Sequence, residues 1–346
     1  MRRYKPLFWV TFIILVVVIA GNSYLAGYAD RRNPKNMKSI TVYTSLPVEQ
    51  AAVLAQEYEK SSNLQVKIVP LSEKDIITRI NLEQEDPRAD IILTSSTLLD
   101  SLKKDAQLSS YTSEQTDIVY ERFKEEHGYW TGVWYDPIVL AANKDFIKGF
   151  NQIPTKWSDL TKDDQVRIGI TDFLAADAAA NLLFSLVSAN GEEKAFDFLS
   201  KIHPKVIQYA KFLATPVRMA GMGEVDIAIA VQSESIRYVN DGFPVNIIYP
   251  EEGTAYILTG VAMVKGAQHG PEAKQFIDWL LQDSAQAVLQ QNKFFFIPTN
   301  PEITSYKSYT NKSIELLDNK SVTTAEEKRL ILDKWVQNVR LSSRKQ

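Results

Sequence analysis

Between residues 40 and 93 the hydrophobic pattern switches repeatedly between strand-like and helix-like periods, and that alternation limits the fold more than any other feature of the chain. ITVYT (40–44) reads as a short strand, and the next segment places Ala51, Leu54, Ala55 and Tyr58 at helical spacing. QVKIV (65–69) alternates as a second strand, residues 75–85 read as a helix, and ADIIL (89–93) is a third, fully apolar strand that stops in Thr94-Ser95-Ser96-Thr97. Strand, helix, strand, helix, strand in that order predicts right-handed parallel crossovers and an α/β sheet.

A second set follows. Residues 129–142 run through Trp130, Val133, Trp134 and Tyr135 into Asp136-Pro137 as an aromatic-rich extended segment, and Trp157-Ser158-Asp159-Leu160 opens the new set. VRIGI (166–170), VDIAIAV (225–231), VNIIY (245–249) and AYILTGVAMVK (255–265) read as strands, with helices at 177–189, 192–202 and 271–290. No internal repeat at solenoid periods is visible. A chain of 346 residues is long enough for two compact units. Two α/β sets with long passages between them predict two lobes joined by more than one crossover, with a cleft at the strand ends. In the tail, EEKRLILDKWVQNV (326–339) is an amphipathic helix expected to pack back onto a lobe.

The N-terminus reads as an address. Residues 7–21 (LFWVTFIILVVVIAG) are uncharged and follow Arg2, Arg3 and Lys5, the pattern of an export signal. Cleavage after Ala29 would leave a mature start at Asp30; alternatively the apolar stretch stays as a single-span anchor. Residues 30–38 form a polar linker in either case. Three of the 39 basic residues and none of the 42 acidic ones lie in the first 29 positions, so the remainder has 36 bases, 42 acids and a net charge of −6. That balance argues against a nucleic-acid partner, which needs clustered Lys and Arg. The chain has no cysteine, which excludes disulfides, thiolate nucleophiles, thiolate metal sites and a lipid-modified N-terminal cysteine.

Several short pieces, taken in order, resemble one family. They are Thr41-Val42-Tyr43-Thr44-Ser45, Ala89-Asp90-Ile91-Ile92-Leu93, Trp157-Ser158-Asp159-Leu160, GEVDIAIA (223–230), GFPV (242–245), PEEGT (250–254) and AKQFIDWLL (273–281). Their order and spacing over roughly residues 40–300 resemble the type II periplasmic binding proteins, closest to the ABC-importer solute-binding proteins for ferric iron, phosphonates and sugar phosphates. The resemblance implies a two-lobed α/β fold of the Venus-flytrap kind, outside the cytoplasm, with residues 39–125 and 252–300 in the N-terminal lobe, 126–251 in the C-terminal lobe and 301–346 as a helical extension. It implies a protein that captures a small polar solute between its lobes and delivers it to an ABC permease. The alternative is a ligand-sensing subunit that signals to a membrane partner such as a histidine kinase.

Iron binders of this kind that use paired tyrosines carry them just after the strand ending at Val231, where this chain has Gln232-Ser233-Glu234-Ser235. Ferric iron would therefore need a different set of hard ligands. Phosphorylated, phosphonate and amine-bearing solutes remain. Thr44, Ser45, Ser95, Ser96 and Thr254, taken to lie at helix starts, offer hydroxyls and free N–H groups to an oxyanion, although such residues also simply cap helices. Asp172 or Asp177, should either face the cleft together with Glu234, would favour an amine or zwitterion, and Gln232 and Ser233 are further candidate ligand residues. Asp177 is expected to cap the 178–189 helix. Tyr43, Trp134 and Tyr135 are candidates for stacking on an organic ligand. No HExxH, GxSxG or GxxxxGK[ST] motif occurs, and the three histidines stand in unrelated contexts, so neither catalysis nor a cofactor is expected.

Overall fold

The computed structural model describes residues 38–149, 153–312, 314–317 and 324–342. The expected export signal or anchor at 1–29 and most of the linker lie outside the described residues. No helix among those described is long and apolar enough to cross a membrane.

Strands β1 (Lys38–Thr44), β2 (Leu64–Pro70), β3 (Ile91–Ser95) and β4 (Leu108–Ser109) alternate with helices α1 (Val48–Ser61), α2 (Glu73–Leu82) and α3 (Ser96–Lys104). There follow β5 (Thr131–Asn143), β6 (Ile168–Thr171), α4 (Asp177–Asn190), α5 (Glu192–Ile202), β7 (Val206–Ala210), α6 (Ala214–Gly221), β8 (Ile227–Val231), α7 (Gln232–Asn240) and β9 (Val245–Ile248). Strand β10 (Tyr256–Val264), helices α8 (Gly270–Leu280) and α9 (Asp283–Gln291), β11 (Ile297–Pro298) and α10 (Ala325–Trp335) complete the main elements. As the alternation predicted, β1 pairs in parallel with β2 and β3, and β6 pairs in parallel with β7 and β8. The sheet order β2-β1-β3-β10-β5-β8-β6-β7 is mixed, because β10 runs antiparallel to β3 and β5, and β5 antiparallel to β8.

Strand β5 makes two lobes out of that order. Its first half pairs with β10 and β11, its second half with β8 and β9, and all 13 residues are buried. Pro137 stands where the strand passes between the two pairings, a position at which the missing N–H breaks no central ladder. The apolar residues accordingly separate. One cluster, including Leu54, Ile91, Leu99, Trp134 and Phe276, packs around the first set of strands; another, including Leu140, Ile168, Phe173, Leu183 and Trp335, packs around the second.

Further chain passes between the lobes behind β5. Thr254 follows the turn Pro250-Glu251-Glu252-Gly253 and forms a parallel bridge with Leu316. Its N–H donates to the Glu315 carbonyl at 2.9 Å, its carbonyl accepts from Leu317 N at 2.8 Å, and its hydroxyl donates to the Ile138 carbonyl at 2.5 Å. Gly253 has φ +89, and a Cβ there would meet Leu317 Cδ2 at 2.9 Å, so glycine is required for this approach. The Trp157-Ser158 motif holds the same turn: Trp157 N and Ser158 Oγ donate to the Glu252 carboxylate, and Trp157 Nε1 donates to the Gly253 carbonyl at 2.8 Å.

Three expectations are corrected. The single helix expected over 271–290 is two, α8 and α9, because Gln282 takes an extended conformation and the Leu281 carbonyl accepts from Asn300 Nδ2 at 2.9 Å instead of continuing a helix. Thr254 opens no helix; β10 begins two residues later. The N-cap of α4 is Ala176, with Asp177 the first helical residue. The tail helix packs onto the second lobe, with Trp335 fully buried between Phe173 and Tyr209.

Candidate functional site

A cleft of about 190 Å³ opens between the lobes where β5 crosses. The first lobe contributes Leu46, Pro47 and Gln50 at the start of α1, Trp134 on β5, Ile257 and Thr259 on β10, and Lys293, Phe294 and Phe296 after α9. The second contributes Leu213, Val231, and Ser233, Glu234 and Arg237 on α7, while Asp136 lies at the crossing itself.

The aromatic wall is ordered. Trp134 stacks on Phe296 with centroids 5.6 Å apart and an interplanar angle of 21°, and Phe296 continues to Phe294 at 6.4 Å and 7°. Ring faces carry negative potential, so a row of them favours an organic body or a cation. The same cleft holds two carboxyl groups. Asp136 is only 4% exposed, and its oxygens accept from Ser233 N at 2.9 Å and Ser233 Oγ at 2.6 Å, in the first turn of α7. Burial pushes its carboxyl up to about 7, against the lowering effect of the Ser233 hydrogen bonds, and the nearby charge of Glu234 adds to the rise. Burial also raises Glu234, and pairing with Arg237 opposes that rise. At the edge, Lys293 bonds Asp241 at 2.7 Å, linking the chain after α9 to the end of α7.

Of the residues singled out in the sequence, the cleft brings together Trp134, Ser233 and Glu234. Gln232 is fully buried beside them, accepting from the Tyr249 hydroxyl at 2.6 Å and donating to the Phe295 carbonyl at 3.4 Å. Ser45, Ser95 and Ser96 lie at the strand ends of the first lobe, with Ser45 Oγ 2.6 Å from Thr94 Oγ1 and Ser95 Oγ donating to Glu73 at 2.6 Å. Thr44 is buried and donates to the Leu93 carbonyl at 2.6 Å, tying β1 to β3.

The others have different neighbours. Tyr43 is in the first core, its hydroxyl donating to Glu83. Tyr135 stacks on Phe123 at 4.9 Å, and its burial raises the phenol far above its usual range. Asp172 accepts from Arg340 Nε at 3.2 Å, a contact to the tail. Thr254 is in the crossing described above.

Sequence reasoning passed over Asp136, Gln50, Arg237 and the Phe294/Phe296 pair. The Asp-Pro step inside an apolar strand and the FFF run at 294–296 were the available signals. A larger cavity of about 470 Å³ lies in the second lobe beside Phe146, Ile153 and Val166, but its polar lining is self-satisfied, with Lys162 on Asp159 at 2.6 Å. The cleft at the crossing, with its convergent polar groups, is the better site.

Residues 86–314 match the family model described as bacterial extracellular solute-binding protein. The chain belongs to that family. Among its relatives, a probable ABC transporter periplasmic-binding protein, y4fP, from Sinorhizobium fredii is 26% identical over 319 residues, covering 90% of this chain and 88% of that one. Iron uptake protein A1 of Synechocystis is 23% identical over 317 residues, 86% of each. The periplasmic binding protein AfuA from Actinobacillus pleuropneumoniae, solved with fructose-6-phosphate bound, superposes with a TM-score of 0.73 at 24% identity, covering 88% of this chain and 99% of that one. Iron-bound HitA from Pseudomonas aeruginosa gives 0.73 at 20% identity, covering 86% and 99%. This solute-binding protein therefore has the two-lobed periplasmic-binding-protein fold that the sequence resemblance implied.

Proposed function

We propose that this solute-binding protein works outside the cytoplasm as the capture component of an ABC-type importer, and that its solute is a small organic molecule bearing an amine. The description of the Sinorhizobium relative supports the importer role. The observation that carries the ligand class is the Glu234 carboxylate, with the Asp136 carboxyl beside it, in one cleft with the stacked rings of Trp134, Phe296 and Phe294. An ammonium group in that cleft gains from the Glu234 charge and the ring faces, and beside such a cation Asp136 would give up its proton more readily. Ser233 orients Asp136, and Arg237 sets the position of Glu234.

The test is a thermal-shift screen of the purified protein with polyamines, amine-bearing phosphonates, sugar phosphates, phosphoglycerates and ferric iron, because a ligand that binds only the native state raises stability by mass action. Amine-bearing compounds are expected to raise the melting temperature, and Glu234→Gln or Trp134→Ala to abolish the rise. Stabilisation confined to ferric iron or sugar phosphates, and indifferent to both substitutions, would refute the assignment.

A further inference from the structure

The carboxyl of Asp136 reaches from β5 to the first turn of α7, where Val231 is the N-cap and supplies no capping side chain, and accepts there from Ser233 N at 2.9 Å. The Ser233 hydroxyl completes the fork at 2.6 Å. Ser233 is half-buried and lines the cleft, whereas Asp136 is 4% exposed. A hydrogen bond of that length between a hydroxyl and a carboxyl can run in either direction, because the hydroxyl rotates and a protonated carboxyl is itself a donor. With Asp136 charged, Ser233 directs its proton at the carboxylate and leaves its oxygen as an acceptor for the cleft. With Asp136 neutral, the acid donates to the Ser233 oxygen and the hydroxyl proton turns toward the cleft. An ammonium group has donors only, so the first state matches it and the second opposes it.

The other charged residues lining the cleft are Glu234 and Arg237, paired with each other on α7, and Lys293, bonded to Asp241. The Asp136 charge also acts on the phenols of Tyr249 and Tyr309, and Lys312 stands over both rings. Burial raises both phenols, so neither is charged near neutrality, and burial likewise raises the Asp136 carboxyl. We propose that the Asp136–Ser233 pair sets the cleft's preference for a cation through one proton: capture of an ammonium solute expels the proton from Asp136, and acid weakens capture. The inference rests on the amine reading of the cleft and adds a proton-linked determinant of specificity to it. As the ammonium arrives, the Asp136 carboxyl gives its proton to water, one positive charge replaces another, and the Ser233 hydroxyl turns back to the carboxylate.

Titration calorimetry with ethanolamine, putrescine and phenethylamine tests this on the purified wild type, Asp136→Asn, Ser233→Ala and Glu234→Gln, in buffers of different ionisation enthalpy. Alkylamines lose their proton near the lysine value of about 10.4, so the probes stay charged from about pH 6 to about pH 8.5. The wild type is expected to bind at least one of them about tenfold more tightly at pH 8 than at pH 6, and to release about one proton per solute at pH 6, because Asp136 titrates at about 7 without solute. Asp136→Asn, whose amide donates to Ser233 as the protonated acid does, should keep one weak affinity throughout and release no proton. Ser233→Ala removes a hydrogen bond that favours the charged carboxylate, so the midpoint of the rise should move to higher pH. That arm stands by itself if Asp136→Asn does not fold: a midpoint that fails to rise overturns the pair's role. A wild-type affinity that is level with pH, while Glu234→Gln abolishes binding, overturns the proton linkage and leaves the amine reading standing. A pH dependence that survives in Asp136→Asn gives the proton to another group and also overturns the linkage. Failure of all three amines to bind at any pH, or level binding indifferent to Glu234→Gln, overturns the amine reading and the linkage with it.

Discussion

Asp136 has both carboxylate oxygens taken by Ser233, and it is buried deeply enough to hold a proton up to about pH 7. Its ordinary value is 3.8, so between there and about 7 the native protein keeps a proton that the unfolded chain gives up. The resulting stabilisation is full below the lower value and fades as pH rises through the upper one. Asp136→Asn preserves the shape and removes the titration. Urea unfolding from about pH 4 to about pH 8 should therefore show wild-type stability declining across that window and a flatter profile for the variant. Equal slopes would mean that Asp136 does not titrate there. Little of this was legible in the sequence. An aspartate before proline in an apolar strand reads as a turn signal, and the Ser233 partner lies 97 residues away. Gln50 was equally hidden, because a polar residue in an amphipathic helix is ordinarily solvent-facing, and its burial depends on the neighbours brought by the fold.

Helix α10 shows what a segment's own pattern conveys and what it omits. Its periodicity identified an amphipathic helix, and Thr324 and Glu327 form the capping box that starts it. The lobe it covers was not readable, since Phe173 and Tyr209 come from loops and strands far upstream. Trp335 lies 4.8 Å from the Phe173 ring and is fully buried, so Trp335→Ala should destabilise the second lobe by about 3–5 kcal/mol. Because the two lobes have separate cores, calorimetry should show one transition shifted and the other little changed; a uniform shift of a single transition would argue that they unfold as one. Arg340→Ala, which breaks the part-exposed pair with Asp172, should cost about 0–1 kcal/mol. The 271–290 segment illustrates the opposite case, in which the alternation of apolar residues continues smoothly through Gln282 while a long-range hydrogen bond from Asn300 ends the helix.

At the scale of the molecule, the parallel crossovers and the division into two α/β sets were visible in the order of strand and helix periods, while the crossing could be known only once Thr254 was seen joining Ile138, Glu315 and Leu317. That junction is tight and the cleft in front of it is open, an arrangement that would let the lobes move at the lips about a fixed back. Across the mouth, the Lys293–Asp241 pair is exposed and worth about 0–1 kcal/mol, too little to fix the opening. A solute that touches both lobes would shift the population toward a closed form by its differential affinity. Val48 follows Pro47 on one lip and Phe212 precedes Leu213 on the other, and at 55% and 65% exposure both accept a label without disturbing a core. Since the chain has no cysteine of its own, Val48→Cys with Phe212→Cys gives two unique spin-label sites. Electron–electron distance measurements should show a broad distribution without solute and a shorter, narrower one once a stabilising amine from the thermal screen is added. With Glu234→Gln the same amine should leave the distribution broad. A wild-type distribution that does not move under saturating ligand would mean that capture proceeds without closure, and the back junction would then be a rigid spacer rather than a hinge.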